Sequence, residues 1–279
     1  MASANIAEDY VRAGDVTTAL KLLQDRVRSF PADAKLRIFL FQLLALTGQW
    51  ERALNQLNVA AELDPAALAM AQMYREALRC EVLRADVFAG KRSPMVFGEP
   101  EQWLALLIES VLLAGRGQIS QGQKMRESAF EMAAESAGTI DGAAFQWIAD
   151  ADMRLGPVLE AIVNGRYYWM PFSRLSGIDI EKPADLRDMV WMPAHFKFAN
   201  GGDAVGLIPT RYSGSEASVD GAICLARKTL WEEPFPGVFH GLGQRLLATD
   251  QGEFPLMEVR TIRFGESAGD TVSAGSASG

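Results

Sequence analysis

The sequence predicts a multidomain protein, with an N-terminal array of helical repeats followed by a small α+β part that contains a mainly antiparallel sheet. Two observations support this: a 34-residue internal repeat, and a change after residue 140 to short runs rich in aromatic and β-branched residues. A chain of 279 residues, 49% of them hydrophobic, forms one large domain or two ordinary ones. We therefore assign a helical domain to 1–140, an α+β domain to 141–265 and a disordered tail to 266–279.

The repeat is formed by small residues, leucines and prolines that recur at a fixed distance. Positions that match are Gly14 and Gly48, Ala19 and Ala53, Leu23 and Leu57, and Pro31 and Pro65. Each block predicts a helix, a short turn and a second helix that ends at a proline. The period and pattern resemble the tetratricopeptide repeat (TPR), so the first domain is predicted to be TPR-like. Arg26 departs from that pattern, because a small residue is usual there.

Three more helices follow the repeat. They are predicted at Gln72–Phe88, Trp103–Ala114 and Gln123–Ser136, with a loop at Gly90–Pro100. A single helix pair cannot bury its apolar face alone, so stacked pairs form a curved array with a groove. Such grooves commonly receive a peptide or an amphipathic helix, although the array could also serve only as a scaffold.

The start of the second part still has helical spacing. Ala143–Arg154 and Val158–Val163 are predicted as helix, and Asn164-Gly165 as a C-terminal helix stop. Glycine and asparagine tolerate the left-handed conformation that often ends a helix.

Strands are predicted from Arg166 onward. The extended segments are Arg166–Phe172, Met189–Met192, His195–Phe198, Ala204–Ile208, Gln244–Thr249 and Leu256–Phe264. The turn at 200–203 should join two of them in a hairpin, and the turn at 250–252 should join the last two. Ala222–Thr229 is compatible with either a strand or a short helix.

Composition argues against nucleic-acid binding and membrane insertion. The net charge is −8, whereas phosphate contacts need clustered Lys and Arg. The longest apolar stretches, Ile38–Leu46 and Trp103–Leu113, fall short of the ~20 residues of a membrane span. The N-terminal residues lack the charged and apolar regions of a secretory signal, so we expect a cytoplasmic protein.

No metal or cofactor motif is present in the sequence. The two cysteines, Cys80 and Cys224, and the two histidines, His195 and His240, lie far apart and form no zinc-ligand spacing. Either histidine could act as a general base for a nearby serine, but turn serines and a structural histidine explain the pattern better. We predict no catalytic residue, no metal and no cofactor.

Two charged or glycine-containing stretches could support chemistry. Asp150 and Arg154 could pair on a helix face, and Asp152 and Glu160 could form a carboxylate pair for acid–base work. The alternative is that these acids cap a helix and fix the junction between the two parts. The stretch His240–Arg245 contains Gly-x-Gly, but a strand is predicted to follow it, so a tight turn is favoured over a phosphate loop.

Five segments together resemble a known family. They are Trp147–Trp169, Trp191–Ala194, Leu207–Ser215, Ala226–Trp231 and Gly241–Arg245. In this order and spacing they resemble the ImpE/SciE family, also called TagJ, of accessory proteins of bacterial type VI secretion. The resemblance covers nearly the whole chain up to Phe264.

The resemblance implies a cytoplasmic, non-enzymatic role. It implies binding to a helix of the small subunit (TssB-like) of the contractile sheath, and through it a link to the ClpV unfoldase. We assign Glu8, Arg12, Lys35 and Gln42 to the partner groove, assuming regular repeat geometry. Family-motif residues without an assigned role are Asp150, Asp152, Arg154, Gly156, Pro157, Gly243, Gln244 and Arg245.

The alternative hypothesis is an enzymatic or small-ligand-binding second domain. It would use Asp152, His240 and Arg245, and it requires these side chains to converge in a cleft. A scaffold of the secretion apparatus with a different partner is a third possibility.

Overall fold

Helices fill the first half of the chain in the computed structural model, which describes residues 2–265. The predicted tail at 266–279 lies outside the described residues. The helices are α1 (Ala2–Ala13), α2 (Val16–Ser29), α3 (Ala34–Leu46), α4 (Trp50–Leu63), α5 (Leu68–Phe88), α6 (Gln102–Gly115) and α7 (Ile119–Met132). The short α8 (Gly221–Cys224) lies between strands later in the chain.

The first four helices begin and end where the repeat predicts. Gly14 and Gly48 form the turns within the two pairs, with φ of +86° and +66°. Both φ values lie in the left-handed region that favours glycine. Asp15 caps α2 by accepting a hydrogen bond from the Thr18 amide at 2.9 Å, and Asp33 caps α3 in the same way. The detailed TPR geometry stays a prediction.

The second half forms a mainly antiparallel sheet, which confirms the predicted fold class. Its strands are β1 (Met95–Val96), β2 (Gly138–Ile140), β3 (Ala143–Phe145), β4 (Ile148–Asp150), β5 (Val158–Val163), β6 (Arg166–Pro171), β7 (Leu175–Ile180), β8 (Trp191–Phe198), β9 (Asp203–Pro209), β10 (Thr229–Phe235), β11 (Val238–Gly243), β12 (Leu246–Thr249), β13 (Gly252–Pro255) and β14 (Thr261–Phe264).

Strand order shows how the two parts interlock. The nine-stranded sheet runs β1-β6-β5-β9-β8-β7-β14-β2-β3, and the described strands also form the sheets β10-β11 and β13-β12-β4. Strand β1 comes from the loop between α5 and α6 and pairs in parallel with β6. The first part thus contributes an edge strand to the sheet of the second. The domain boundary at residue 140 stays a prediction.

Two helix predictions after residue 140 are wrong. Ala143–Arg154 contains β3, β4 and a turn, and Val158–Val163 is β5. Every residue of β5 is buried, so its near-continuous apolar run carries no period that could separate strand from helix. Asn164-Gly165 is the turn of the β5–β6 hairpin, with φ of +49° and +71°. Two successive positive φ angles are typical of the hairpin turn that Asn-Gly favours.

Most of the strand predictions are confirmed by the structure. The hairpin of β8 and β9 is confirmed, and β12 turns back across 250–251 as predicted. The prediction of one long strand at Leu256–Phe264 is wrong, because β12 pairs with β13 and only Thr261–Phe264 is extended there. Ala222–Thr229 begins inside α8 and reaches β10 at its last residue.

The core consists of two apolar clusters on opposite faces of the large sheet. One cluster continues from the helices, with Leu23, Phe41 and Tyr74, to Trp169 and Trp191 of the sheet. The Trp191 ring lies 5.5 Å from the Tyr74 ring. The second cluster lies on the other sheet face. Burial of the first cluster therefore holds helices and sheet together through the hydrophobic effect.

Candidate functional site

Glu160 is the centre of a charge network buried between the helices and the sheet. It lies on β5, and its carboxylate accepts hydrogen bonds from Arg84 of α5, Nε at 2.6 Å and Nη2 at 2.9 Å. Arg245 pairs with the same carboxylate, and the Tyr167 hydroxyl donates to it at 2.5 Å. Glu160 and Arg245 are fully buried and Arg84 is 3% exposed. Ion pairs of this kind join residues far apart in sequence.

The pKa of Glu160 follows from these contacts. Burial alone would raise it, but Arg84, Arg245 and the hydrogen bonds from Arg84 and Tyr167 outweigh burial and lower the pKa to about 2. Glu160 is therefore ionised at neutral pH. This geometry satisfies its oxygens fully and leaves no free carboxylate for acid–base chemistry.

Asp150 shares Arg245 with Glu160. It lies at the end of β4, and it accepts the Asp152 amide at 2.9 Å in addition to its ion pair with Arg245. Arg245 Nε donates to the Pro209 carbonyl at 2.9 Å. Burial raises the pKa of Asp150 to about 6, against the opposing effect of Arg245. Arg245 thus connects three segments of the sheet part.

The network extends into α5 and the neighbouring aromatic residues. Glu81, one turn before Arg84, pairs with it at 3.3 Å and accepts a hydrogen bond from Trp191 Nε1 at 2.9 Å. Burial raises the pKa of Glu81. On the sheet, Trp169 Nε1 donates to the Tyr167 hydroxyl at 2.8 Å. Both tryptophans therefore satisfy their polar atoms within the network.

Arg211 connects the network to the backbone. Its Nη1 donates to the carbonyls of Leu46, at the end of α3, and Cys224, at the end of α8. Its own carbonyl accepts Arg84 Nη2 at 2.8 Å. The free carbonyls at helix ends need such donors when they are buried.

Asp152 pairs with Arg154, so the predicted Asp150–Arg154 helix pair is wrong. Arg154 Nε donates to Asp152 at 2.9 Å, and the Gly241 amide donates to the other carboxylate oxygen at 2.9 Å. Burial would raise the pKa of Asp152, but Arg154 outweighs it and the pKa is lowered. The predicted Asp152–Glu160 carboxylate pair is likewise not available, because Asp152 is bound by Arg154 and Glu160 by Arg84 and Arg245.

The remaining motif residues shape the backbone around the network. Gly156 has φ of +54°, and a Cβ there would clash with the Phe130 ring. The next residue, Pro157, accepts the Phe172 amide at 3.1 Å. Gly243 has φ of +88° and donates to Ser215 Oγ at 2.8 Å. Gln244 donates to the Ala226 carbonyl at 2.7 Å.

The Gly-x-Gly stretch forms no phosphate loop. His240–Gly243 belongs to β11, and Arg245 at its end is bound to acids. His195 lies elsewhere, on β8, where Nε2 contacts Asp203 at 2.7 Å. Because Asp152 and Arg245 are both engaged in internal ion pairs, the geometry does not support a reactive site of Asp152, His240 and Arg245.

Three of the four predicted groove residues do come together. Glu8 of α1, Lys35 and Gln42 of α3 line one groove of about 500 Å³, whose other wall is the loop 184–186. Arg12 does not line this groove and pairs with Asp9 at 2.6 Å on the exposed side of α1. The 184–186 wall was missed by sequence reasoning, because only the tertiary fold brings it beside α3.

Arg84 and Arg211 were also missed as network residues. One sequence feature could have indicated a buried charge network, namely an ionisable residue inside an apolar run. Glu160, between Leu159 and Ala161, is such a residue. A buried charge of this kind needs a partner, but the sequence does not say which of 27 Lys and Arg residues supplies it.

Residues 2–265 contain neither a metal-ligating cluster nor a helix suited to cross a membrane. No three His, Cys, Asp or Glu side chains within that range lie together in a way that could hold a metal ion. None of the helices described there combines the length and apolarity needed to cross a bilayer.

Replacing Arg84 with Met should lower the free energy of unfolding by about 3–5 kcal/mol, because Glu160 and Glu81 lose a buried partner. The matched control is Arg79→Met on the same helix, since Arg79 forms an exposed pair with Glu76 at 2.8 Å. That control should cost about 1 kcal/mol or less. Urea unfolding measures both, and equal losses would contradict the network's role.

The stability of the protein in acid should depend on Glu160. Between its ordinary pKa of 4.5 and its lowered value of about 2, the unfolded chain binds a proton that the folded chain does not. The free energy of unfolding therefore falls as pH falls through that window. Urea unfolding should be measured at about pH 5 and about pH 3.5. Between these two pH values the free energy of unfolding should fall less for Glu160→Gln than for the natural chain. An unchanged slope would refute this assignment.

The conformation of Gly243 gives a third prediction. Alanine at Gly243 should destabilise the protein more than alanine at Gly237, which also has positive φ (+73°) but has open space for a Cβ. Both variants incur backbone strain of about 1–2 kcal/mol. A Cβ at Gly243 would in addition collide with the Lys228 carbonyl, at a cost of about 1–3 kcal/mol. Thermal unfolding compares the two, and equal shifts would show that the collision is relieved.

Comparison with known proteins places the chain in a family. The ImpE protein family model matches residues 142–263, which contain most of the network. The type VI secretion system accessory component TagJ of Pseudomonas aeruginosa is 50% identical over 262 residues, covering 94% of this chain and 92% of that protein. The crystal structure of protein VPA1032 from Vibrio parahaemolyticus superposes with a TM-score of 0.86 at 25% identity, covering 94% of this chain and 98% of that one. The chain therefore belongs to the ImpE family, together with TagJ.

Proposed function

We propose that this chain is a non-enzymatic, cytoplasmic accessory protein of a bacterial type VI secretion system. The observation that carries the proposal is the 50% identity to TagJ over nearly the whole of both chains. Its action is to dock a helical segment of the small, TssB-like subunit of the contractile sheath, and so to connect the sheath with the ClpV unfoldase. Asp152 is paired with Arg154, and Arg245 is paired with Asp150. Because both residues are held in internal ion pairs, the structure supports a role without catalysis.

The groove beside α3 supports helix docking through its apolar floor. Leu36, Ile38 and Phe39 contribute to the groove from α3, and Leu186 contributes from the opposite loop. An amphipathic helix binds by laying its apolar face into such a groove, with anchors spaced three or four residues apart. Burial of these anchors provides the main attraction.

Charged side chains of both signs line the same groove. Glu8 and Lys35 are exposed, and neither forms an ion pair with another residue of the described range 2–265. They are thus available to a partner helix with complementary charges. Exposed ion pairs contribute only about 0–1 kcal/mol each, so these residues select orientation more than they provide affinity.

The opposite wall is fixed by the sheet part. Asp188 accepts the amides of Ala184 and Asp185, at 2.6 and 3.0 Å, and Thr210 Oγ1 donates to the Asp188 carbonyl at 2.6 Å. A wall held in this way needs little ordering when a partner binds, which favours affinity.

Calorimetry with a peptide of the sheath small subunit's docking helix tests this function. The natural chain should bind with a Kd of about micromolar or tighter. Phe39→Ala should weaken binding at least about tenfold, equivalent to 1.4 kcal/mol, because an apolar anchor is lost. Lys35→Glu should weaken it by a smaller factor.

Lys21→Glu is the matched control, since Lys21 is exposed on α2 and does not line the groove. It should bind as the natural chain does, and circular dichroism should show all variants folded. Absence of binding to both the peptide and the whole sheath subunit would refute the partner. Full-strength binding by Phe39→Ala and Lys35→Glu would refute the groove.

A further inference from the structure

A second cavity lies between the α6–α7 hairpin and the β10–β11 hairpin. Its volume is about 190 Å³, and it shares no lining residue with the groove beside α3. Apolar side chains from four elements form much of its wall: Phe88, Val111, Ile119 and Val238. Gly122 of α7 lies close to the Ser110 carbonyl of α6, so the two helices pack tightly behind the cavity.

Arg126 of α7 lines this cavity without a partner of its own. It is 7% exposed, and within residues 2–265 its guanidinium neither donates a hydrogen bond to a protein acceptor nor forms an ion pair with a carboxylate. Burial lowers its pKa, yet an arginine keeps its charge in proteins. A buried charge without a partner is unfavourable, so this guanidinium is poised to bind an anion.

The other polar groups in the cavity leave its charge positive. Arg154 lines the wall and lies over the Phe88 ring at 4.7 Å, and its charge is balanced by Asp152. His240 also lines the wall, and burial together with Arg154 lowers its pKa to about 4. His240 is therefore neutral at pH 7. Among residues 2–265, only two acids act on Arg126, the exposed Glu127 beside it on α7 and Asp152, which is already paired with Arg154, so no carboxylate there is dedicated to its charge.

We propose that this cavity binds a small organic anion, a carboxylate attached to a compact apolar body. Arg126 pairs with the carboxylate through its planar fork of donors, and the apolar wall covers the body. A benzene ring fits an apolar cavity of about 150 Å³, so the volume suits a ring or a branched chain of similar size. Inorganic phosphate fits less well, because the apolar wall would offer it no compensation for lost water.

Such a ligand would contact the helices and the β10–β11 hairpin at once. Phe235 and Val238 of that hairpin line the cavity opposite α7. A ligand that binds the folded chain stabilises it in proportion to the logarithm of its concentration over Kd. Binding should therefore also hold the hairpin against α6 and α7.

Titration of the ¹⁵N-labelled full chain with benzoate tests the proposal by NMR. Benzoate should cause saturable shifts at amides of α7 and β11, with a Kd of about millimolar or tighter. Benzyl alcohol, which has the ring without the charge, and inorganic phosphate, which has charge without the ring, should each bind at least about tenfold more weakly, equivalent to 1.4 kcal/mol.

Two variants and one control separate binding from folding. Arg126→Gln should abolish the benzoate shifts while leaving the melting temperature unchanged or higher, because the arginine has no internal partner to lose. Ala114→Trp, at the exposed rim, should block entry. Arg116→Gln, an exposed arginine between α6 and α7 that does not line the cavity, should bind normally.

Equal binding of benzoate and benzyl alcohol would overturn the proposal, since charge would then not be recognised. Unchanged benzoate binding by Arg126→Gln would overturn it as well. Absence of any saturable shift would show that the cavity is a packing defect. A large fall in melting temperature for Arg126→Gln without ligand would assign the arginine a structural role instead.

Discussion

The clamp of Glu160 between Arg84 and Arg245 is the constraint on which the rest of the structure depends. A carboxylate in the middle of a fully buried strand costs several kcal/mol unless its oxygens are satisfied. One arginine comes from α5 and the other from the turn before β12, so both elements must approach β5 closely. The formal charges of the network balance: its acids are Glu81, Asp150, Asp152 and Glu160, and its arginines are Arg84, Arg154, Arg211 and Arg245.

The network gives the family motifs a physical meaning. Asp150 and Arg245 are 95 positions apart and meet through an ion pair inside the fold. Asp152 pairs locally with Arg154 and accepts the Gly241 amide from the distant segment. Such pairing does not add much stability over an apolar core, but it penalises every arrangement in which one charge is left alone. These motif pairs join β4 to the turn before β12 within the sheet part, and Glu160 extends the same network to Arg84 of α5.

Much of the fold could be predicted from local patterns, and the clearest failure has a physical cause. Helix pairs with glycine turns were predicted correctly from α1 to α4, because a helix end is set by nearby residues, and Asp15 and Asp33 cap α2 and α3 there. Segment Val158–Val163 was misread because a strand covered on both faces loses its period. The Asn164-Gly165 turn that follows supports either a helix end or a hairpin, and only its partner strand decides.

The sequence by itself determined the helix pairs of the first part, the β8–β9 hairpin, the apolar composition of the core and the family. The tertiary structure alone decided which charges meet, since Arg245 and Glu160 are 85 positions apart, and no spacing rule connects them. It also decided that the loop 184–186 faces α3, and that Arg126 is left without a partner in its cavity. The physical reason is that periodicity, caps and turns act over a few residues, whereas the pairing of buried charges depends on the position of every element around them.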